Sequence, residues 1–199
     1  MKKVFSVVLM ALLLLISGNQ FASAVGPDRN SQSTNCANNH VSNGNFEQGN
    51  VSWLSLPDPR YPNTQIILFN DSHDGQYSAM LGGDEGTVDS IRQEITIPED
   101  GFLTYWWRMN TYEHTVFHDA MAVALLNDQG QVIKTLAVHD ISGVKDTWIR
   151  DSFDLRPYAG SKLWLNFSVY NDNYYFSTFY IDSVCLVEGS HLFFPAIAR

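Results

Sequence analysis

The strongest constraint on the fold is a two-residue alternation of apolar and polar side chains that recurs along the chain. Ile91, Ile95 and Ile97 alternate with polar residues, and the segments 103–109 and 162–169 show the same period. Successive side chains of a β-strand point to opposite faces of a sheet, so this period indicates strands with one buried face. The alternation therefore predicts β-sheets that each pack one face against a core.

Turn signals divide the rest of the chain into short pieces. Apolar runs at 64–69, 76–81, 131–138, 147–153 and 178–187 are separated by HDG, GGDEG, PEDG, NDQG and NDN. Many short strands separated by turns are typical of a β-sandwich or a jelly roll. The segment 119–126 (DAMAVALL) competes as a helix, but the NDQG turn that follows it favours a hairpin. Because neither an internal repeat nor a second composition block appears, we predict one all-β domain, an antiparallel β-sandwich or jelly roll.

The N-terminus has the form of an export signal. Lys2 and Lys3 precede a short apolar stretch, and the residues ASA at 22–24 match a signal peptidase site. We predict a signal peptide over 1–24, a polar linker over 25–40, the β-sandwich over 41–189 and an apolar tail over 190–199. No segment after the signal approaches the roughly 20 apolar residues of a membrane span. We expect a mature monomer that is secreted or at the cell surface, with an uncleaved anchor as the alternative.

The charge of the chain limits its possible binding partners, and its cysteines indicate the cellular compartment. Acidic residues outnumber lysine and arginine by 21 to 12, which argues against nucleic acid as a partner. The two cysteines, Cys36 and Cys185, lie near opposite ends of the exported chain. An oxidising compartment favours their pairing. We predict a Cys36–Cys185 disulfide, with two separate buried thiols as the alternative.

Two terminal motifs carry a resemblance to a known group of proteins. NGNFE at 43–47, followed by Gly49 and Trp53, resembles the opening of secreted jelly-roll modules of the galactose-binding-like type, which include many carbohydrate-binding modules. YIDSVCL at 180–186 resembles their final strand. The segments 77–98, 103–113, 118–123 and 146–167 are similar to the accessory β-sandwich found beside secreted bacterial metallopeptidases and adhesins. The resemblance implies a jelly roll whose first and last strands are neighbours, and an accessory binding role.

The same resemblance implies a structural calcium ion between the terminal strands. Carried over residue by residue, the ligands are Glu47 and Asp182, with the backbone near Asn45 as a contributor. Calcium takes six to eight oxygen ligands, which carboxylates and carbonyls supply. Ser183 stands where the group has a second Asp, so one carboxylate is missing here. The alternative is that both acids are ordinary hydrogen-bonded carboxylates at strand ends.

Signals for catalysis are sparse. YEHTVFHD at 112–119 contains His114 and His118 with two carboxylates, but the HxxxH spacing lacks the central HE of zinc peptidases. In the resembling group, Asp119 opens a strand, and a structural hydrogen-bonding role is the simpler interpretation. No GxSxG elbow occurs, and the two cysteines are assigned to the disulfide. A secreted hydrolase that uses clustered carboxylates or the His114/His118 loop is therefore the alternative hypothesis to a non-enzymatic module.

Aromatic residues are the remaining candidates for function. The chain has 26 aromatic residues, and the segment 170–176 (YNDNYYF) mixes tyrosine with Asn and Asp. Sugars stack their apolar CH faces on aromatic rings and bind planar polar groups through their hydroxyls, so this composition suits a glycan. In the two-residue alternation, Trp107 falls on the face of its strand that carries core residues, whereas Trp106 and Trp164 fall on the face that carries polar residues. We call this alternating position the parity of a residue. The sequence thus predicts a non-enzymatic module for carbohydrate or a cell-surface partner, with these candidate contact residues: Trp106, Trp164, Asn173, Tyr174 and Tyr175.

Overall fold

The computed structural model describes residues 36–62, 66–69, 71–112, 118–143 and 145–189. The predicted signal peptide, most of the predicted linker, His114 and the 190–199 tail lie outside these ranges. The described residues contain no α-helix, only one 3-10 turn at Arg156–Tyr158. The ten strands are β1 (Leu54–Leu56), β2 (Ile67–Phe69), β3 (Tyr77–Gly82), β4 (Val88–Thr96), β5 (Gly101–Thr111), β6 (Ala120–Leu126), β7 (Val132–His139), β8 (Ile149–Asp154), β9 (Lys162–Tyr170) and β10 (Ser177–Glu188).

The strands form two five-stranded antiparallel sheets. Sheet A has the order β1-β4-β9-β6-β7, and sheet B has the order β2-β3-β10-β5-β8. The eight strands from β3 to β10 form two four-stranded sets, β3-β10-β5-β8 in sheet B and β4-β9-β6-β7 in sheet A. This order is the jelly-roll topology. The predicted all-β sandwich and the predicted hairpin of 119–126 with 131–138 are confirmed. In the part of the chain that is described, no helix is long and apolar enough to cross a bilayer.

The inner faces follow the alternation in the sequence. Ile91 and Ile95 of β4 and Leu165 of β9 are fully or almost fully buried, as are Tyr105 and Trp107 of β5. Burying a large apolar side chain contributes about 1.5–3 kcal/mol, so these two inner faces supply the main driving force for the sandwich. The prediction that Trp107 lies in the core is confirmed.

The segment 41–53 differs from the expected first strand. It forms a series of turns in which Asn43 and Phe46 have positive φ angles, and β1 begins only at Leu54. Isolated hydrogen bonds join this segment and the residue before it to β10, from Val184 N to the Gly44 carbonyl and from His40 N to the Leu186 carbonyl. Positive φ angles interrupt the extended backbone that a strand ladder needs, which explains why the neighbour of β10 is not a regular strand.

The disulfide prediction is confirmed. Cys36 and Cys185 are bonded, with their Cα atoms 6.0 Å apart. Asn39 strengthens the same connection, because its side-chain amide donates to the Val184 carbonyl and its Oδ1 accepts from Leu186 N, each at 2.8 Å. The chain is therefore attached to β10 from Cys36 onward, five residues before the boundary at 41 that the sequence suggested.

Tyr105, His139 and Asp151 form a largely buried polar cluster between the edge strands β7 and β8. The Tyr105 hydroxyl donates to Asp151 Oδ2 at 2.8 Å, and His139 Nε2 lies 2.9 Å from the same oxygen. The His139 ring stacks on Trp107 with a centroid distance of 3.8 Å. Burial raises the pKa of Asp151, but the hydrogen bonds and charge of His139 outweigh this effect and lower the pKa overall. The cluster joins sheet A to sheet B.

Candidate functional site

Five exposed tyrosines gather at one end of the sandwich. Connections from odd-numbered to even-numbered strands lie at this end, because odd-numbered strands run toward it and even-numbered strands run away from it. Tyr174 is 74% exposed, Tyr112 63% and Tyr175 52%. The tyrosine end comprises the five exposed members of the nine tyrosines in the chain: Tyr61, Tyr112, Tyr170, Tyr174 and Tyr175. The four other tyrosines are buried or half-buried.

The β9–β10 loop that carries Tyr174 is held by a hydrogen-bonded turn at Asp172. The Asp172 amide donates to Asp119 Oδ1 at 2.9 Å, and Asp172 Oδ1 accepts from the Tyr174 amide at 2.9 Å. Asp172 Oδ2 lies 2.6 Å from His118 Nδ1. Asp119 is fully buried and also accepts from the Ser177 hydroxyl at 2.7 Å. Exposed tyrosine rings thus project from a loop whose backbone is held against the β5–β6 connection.

A second network holds the loop that carries Tyr61. Asp58 is buried and pairs with Arg60 at 2.8 Å, and its backbone amide donates to Asp89 Oδ1 at 2.7 Å. The Arg60 side chain also donates to the Gly86 carbonyl, which joins the β1–β2 and β3–β4 connections. The hydrogen bond from Arg60 is the main cause that lowers the pKa of Asp58 to about 2. The carboxylate therefore remains charged in all but strongly acidic solution.

Trp164 lies on a different surface, the outer face of sheet A. Its ring packs against the Arg92 guanidinium at 4.7 Å from the ring centroid. It forms one wall of a shallow groove of about 470 Å³ near the opposite end of the sandwich, lined by Ser42, Ser52, Trp53, Leu54, Gln93, Glu94 and Trp164. The prediction that Trp164 points outward agrees with its half-buried position. One face of the ring is already in contact with a cation.

Trp106 lies on the outer face of sheet B, so the two predicted tryptophans are on opposite sides of the molecule. His73 stacks on Trp106 with a centroid distance of 3.9 Å and an interplanar angle of 15°. Trp148 contacts the edge of the same His73 ring at 5.7 Å. The five predicted contact residues therefore separate into three surfaces, and only Asn173, Tyr174 and Tyr175 lie together.

The predicted calcium ligands both contact the β2–β3 loop. Glu47 Oε1 accepts from the amides of Gln76 and Tyr77 at 2.8 Å each. Asp182 is fully buried, and its Oδ2 accepts from His73 N at 2.8 Å and Asp74 N at 3.0 Å. Burial is the main cause that raises the pKa of Asp182 to about 7.

The other residues predicted as possible metal ligands lie in ordinary turns and hydrogen bonds. Asn45 is exposed in the turn before Phe46, and His118 pairs with Asp172 as described above. Among the described residues, no group of three or more His, Cys, Asp or Glu side chains is arranged to hold a metal.

Sequence reasoning missed Tyr61 and Tyr112 as parts of the surface that carries the 170–176 segment. Their distance along the chain hides the fact that three separate connections meet at this end. The available signal was the prediction of antiparallel strands throughout, since consecutive strands that run in opposite directions place every second connection at the same end. His73 and Trp148 were missed for the same reason, because they lie in connections that fold onto the face of sheet B.

Comparisons with solved structures agree with the fold. The carbohydrate-binding module TmCBM61, solved in complex with β-1,4-galactotriose, superposes with a TM-score of 0.55 and 17% identity over 76% of this chain and 99% of that one. The K3 adhesin domain of Lys-gingipain from Porphyromonas gingivalis W83 gives 0.53 and 15%, over 75% and 99% of the two chains. The C-terminal family 22 carbohydrate-binding module of Clostridium thermocellum Xyn10B gives 0.51 and 12%, over 78% and 97%.

These similarities confirm the resemblance to jelly-roll modules at the level of fold. At such low identity they show the architecture alone. No protein-family model matches the chain, and no curated protein matches it.

Proposed function

We propose that this chain is an exported, monomeric, non-enzymatic module that binds carbohydrate at the tyrosine end. The observation that carries the proposal is the concentration of all five exposed tyrosines there. An exposed aromatic ring contributes little to the core but offers a flat apolar surface to solvent. The CH face of a pyranose ring can stack on such a surface, and the phenol hydroxyl remains available for hydrogen bonding.

Polar groups beside the rings suit the hydroxyls of a sugar. Asn173 is exposed in the same loop as Tyr174 and Tyr175 and offers both a donor and an acceptor. Arg60 lies beside Tyr61, with its guanidinium 5.5 Å from the centroid of that ring. Because the hydrogen bonds of Asp172 and Asp58 fix the two loops, little loop ordering opposes binding.

The experiment is a binding titration with β-1,4-galactotriose, preceded by a broad glycan array to find stronger ligands. Tyr174→Ala and Tyr175→Ala should each weaken binding by about 1–3 kcal/mol, or about 5- to 150-fold, without changing the melting temperature. Tyr174→Phe keeps the ring and should retain most of the affinity. Trp107→Ala should instead destabilise the fold by about 3–5 kcal/mol through a core cavity.

Three controls locate the site. Tyr158→Ala removes the same side chain at the opposite end of the sandwich and should leave affinity unchanged. Trp164→Ala and Trp106→Ala test the two sheet faces. If Trp164→Ala abolishes glycan binding while both loop variants bind normally, the tyrosine end is not the site. Release of product from the glycan would favour the hydrolase alternative.

We also propose that Glu47 and Asp182 bind a structural calcium ion beside the β2–β3 loop. Among the described residues, Asp182 forms no ion pair with Lys, Arg or His, and Glu47 Oε2 accepts no hydrogen bond. A fully buried carboxylate without a cationic neighbour is costly to ionise, and a divalent ion would remove that cost. Carboxylate and backbone oxygens, including those near Asn45, are the donors that calcium prefers.

The calcium proposal is tested by metal analysis and by melting curves in chelator. An ion that binds only the folded state raises its stability by mass action, by about 2.7 kcal/mol at 100 times the dissociation constant. Glu47→Gln should abolish this calcium-dependent rise, whereas Glu94→Gln, on the outer face of sheet A, should not. Identical melting curves with calcium and with chelator would leave both acids in their hydrogen-bonding roles.

A further inference from the structure

The outer face of sheet B presents basic and aromatic side chains in register. We call this surface the arginine face, and it comprises His73, Trp106, Arg108, Trp148, Arg150 and Tyr180. Trp106 lies opposite Arg150 of β8, and Arg108 lies opposite Tyr180 of β10. The Arg108 guanidinium lies 4.4 Å from the Tyr180 ring centroid and 5.4 Å from that of Trp148. Two arginines thus share one sheet face in a chain whose formal net charge is −9.

Arg150 is the member of this face whose charge is not compensated. Arg60, Arg108 and Arg156 each pair with an Asp, but Arg150 forms no ion pair among the described residues. Its hydrogen bond to the Thr104 hydroxyl is long, at 3.4 Å. Burial lowers the pKa of Arg150, and no neighbouring carboxylate opposes that shift. A guanidinium that is only partly buried and has no carboxylate partner can form a bidentate pair with an anion from solution.

The surroundings add aromatic surface and hydrogen-bond donors. The exposed His73 ring lies stacked on Trp106 directly beside Arg150. Trp106 Nε1 and Arg108 Nε are buried donors that have no acceptor within the described parts of the chain. Two donors and the charge of Arg150 are therefore without an acceptor on this face. An anion with several oxygens complements that excess.

The acidic groups nearby do not neutralise Arg150. Asp71 pairs with Arg108, and Asp182 accepts hydrogen bonds from backbone amides. Asp74 is exposed in the β2–β3 loop beside His73, and its Oδ1 accepts from the Gly75 amide. The net negative charge of the whole chain repels polyanions such as nucleic acids. A ligand with one isolated negative group is therefore favoured over a polyelectrolyte.

We infer that the arginine face binds a sugar acid within a glycan, with Arg150 pairing with its carboxylate and the His73–Trp106 stack contacting its ring. Directly opposed residues on antiparallel strands have Cβ atoms about 4.5–5.5 Å apart. A pyranose carboxylate projects from the edge of its ring, so one sugar residue spans Trp106 and Arg150. The inference rests on the proposed function only in taking the ligand to be a saccharide, since it concerns a different surface.

The test compares acidic saccharides with neutral saccharides of the same backbone. One pair is 4-O-methylglucuronoxylotriose and xylotriose, and the other is 3′-sialyllactose and lactose. The full mature chain is titrated at low and high salt. A charge-assisted pair contributes about 1.5–3 kcal/mol, so the acidic member should bind about 10- to 150-fold more tightly at low salt. The preferred pair distinguishes a uronic acid from a sialic acid.

Arg150→Gln should abolish the preference for the acidic saccharide. Lys134→Gln is the matched control, because it removes one exposed positive charge on β7 of the other sheet and should leave the preference intact. Equal binding of the acidic and neutral members, binding of neither acid at millimolar concentration, or an Arg150→Gln protein that behaves as the wild type would each overturn the inference. Tyr174→Ala should not change the acidic preference, so failure at the tyrosine end is distinguishable from failure here.

Discussion

Removal of the Cys36–Cys185 disulfide should strongly destabilise the protein without altering its folded structure. The bridge spans 149 residues. In the chain-entropy model, a loop of that length lowers the entropy of the unfolded chain by about 17 cal/mol/K, which corresponds to about 5 kcal/mol at 25 °C. Typical domains have a free energy of unfolding of about 5–15 kcal/mol, so this loss is a large part of the total.

The folded state should change little, because other contacts hold the same segment on β10. Asn39 forms two hydrogen bonds with β10, and the His40 amide donates to the Leu186 carbonyl at 2.8 Å. These bonds do not depend on the sulfur atoms. The effect of the disulfide is therefore expected in the unfolded ensemble, where it restricts the separation of the two chain ends.

The assay is urea unfolding of the wild type and of a Cys36→Ala, Cys185→Ala double variant. Asn39→Ala in the disulfide-bonded protein serves as the control, since it removes local hydrogen bonds and keeps the loop closed. We expect the double variant to lose several kcal/mol and to show a larger m value, because its unfolded chain expands further. A loss below about 1 kcal/mol would refute the entropic reasoning.

Two further changes test contacts around the loops. Since Arg60 lowers the pKa of Asp58 from its usual 3.8 to about 2, the stability that this ionised group contributes is present above pH 4 and is lost as the pH falls toward 2. Between pH 6 and pH 2, the melting temperature of Asp58→Asn should fall less than that of the wild type. Gly75→Ala should destabilise by more than about 1 kcal/mol, because its φ is +70° and a Cβ would lie 2.5 Å from Glu47 Oε1. Gly49→Ala, at φ +64° with no atom within 4 Å, should have a smaller effect, and equal losses would refute the steric argument.

The alternation of side chains predicted most of the fold because each strand has one buried face. It assigned Ile91 and Ile95 to the core and Trp106 to the outside, and the structure agrees with all three. It gave no signal for β1, because three residues are too few to show a period. It also could not show that the segment 41–53 forms turns, since most of the positive φ angles there arise at non-glycine residues, including Asn43 and Phe46, and not only at Gly49.

The candidate site was less predictable, because parity gives the face of a strand but not the sheet to which the strand belongs. Trp106 and Trp164 have the same outward parity, yet β5 lies in sheet B and β9 in sheet A. Tyr174 and Tyr175 were recognised because they are adjacent in one loop. Tyr61 and Tyr112 are brought to the same surface by the pairing of distant strands. The residues around each of them in the sequence therefore do not indicate that they share this surface.

The degree of side-chain contact separates the three predicted aromatic surfaces more clearly than their exposure alone. Trp164 packs on Arg92, and Trp106 packs under His73, so each already contributes to the stability of its own sheet. Tyr174, at 74% exposed, has most of its surface in water. The tyrosine end and Trp106 are also separated by about five residues along β5, or roughly 17 Å. Sites at that distance without shared contacts act independently, so we expect the two proposed sites to bind their ligands without competition.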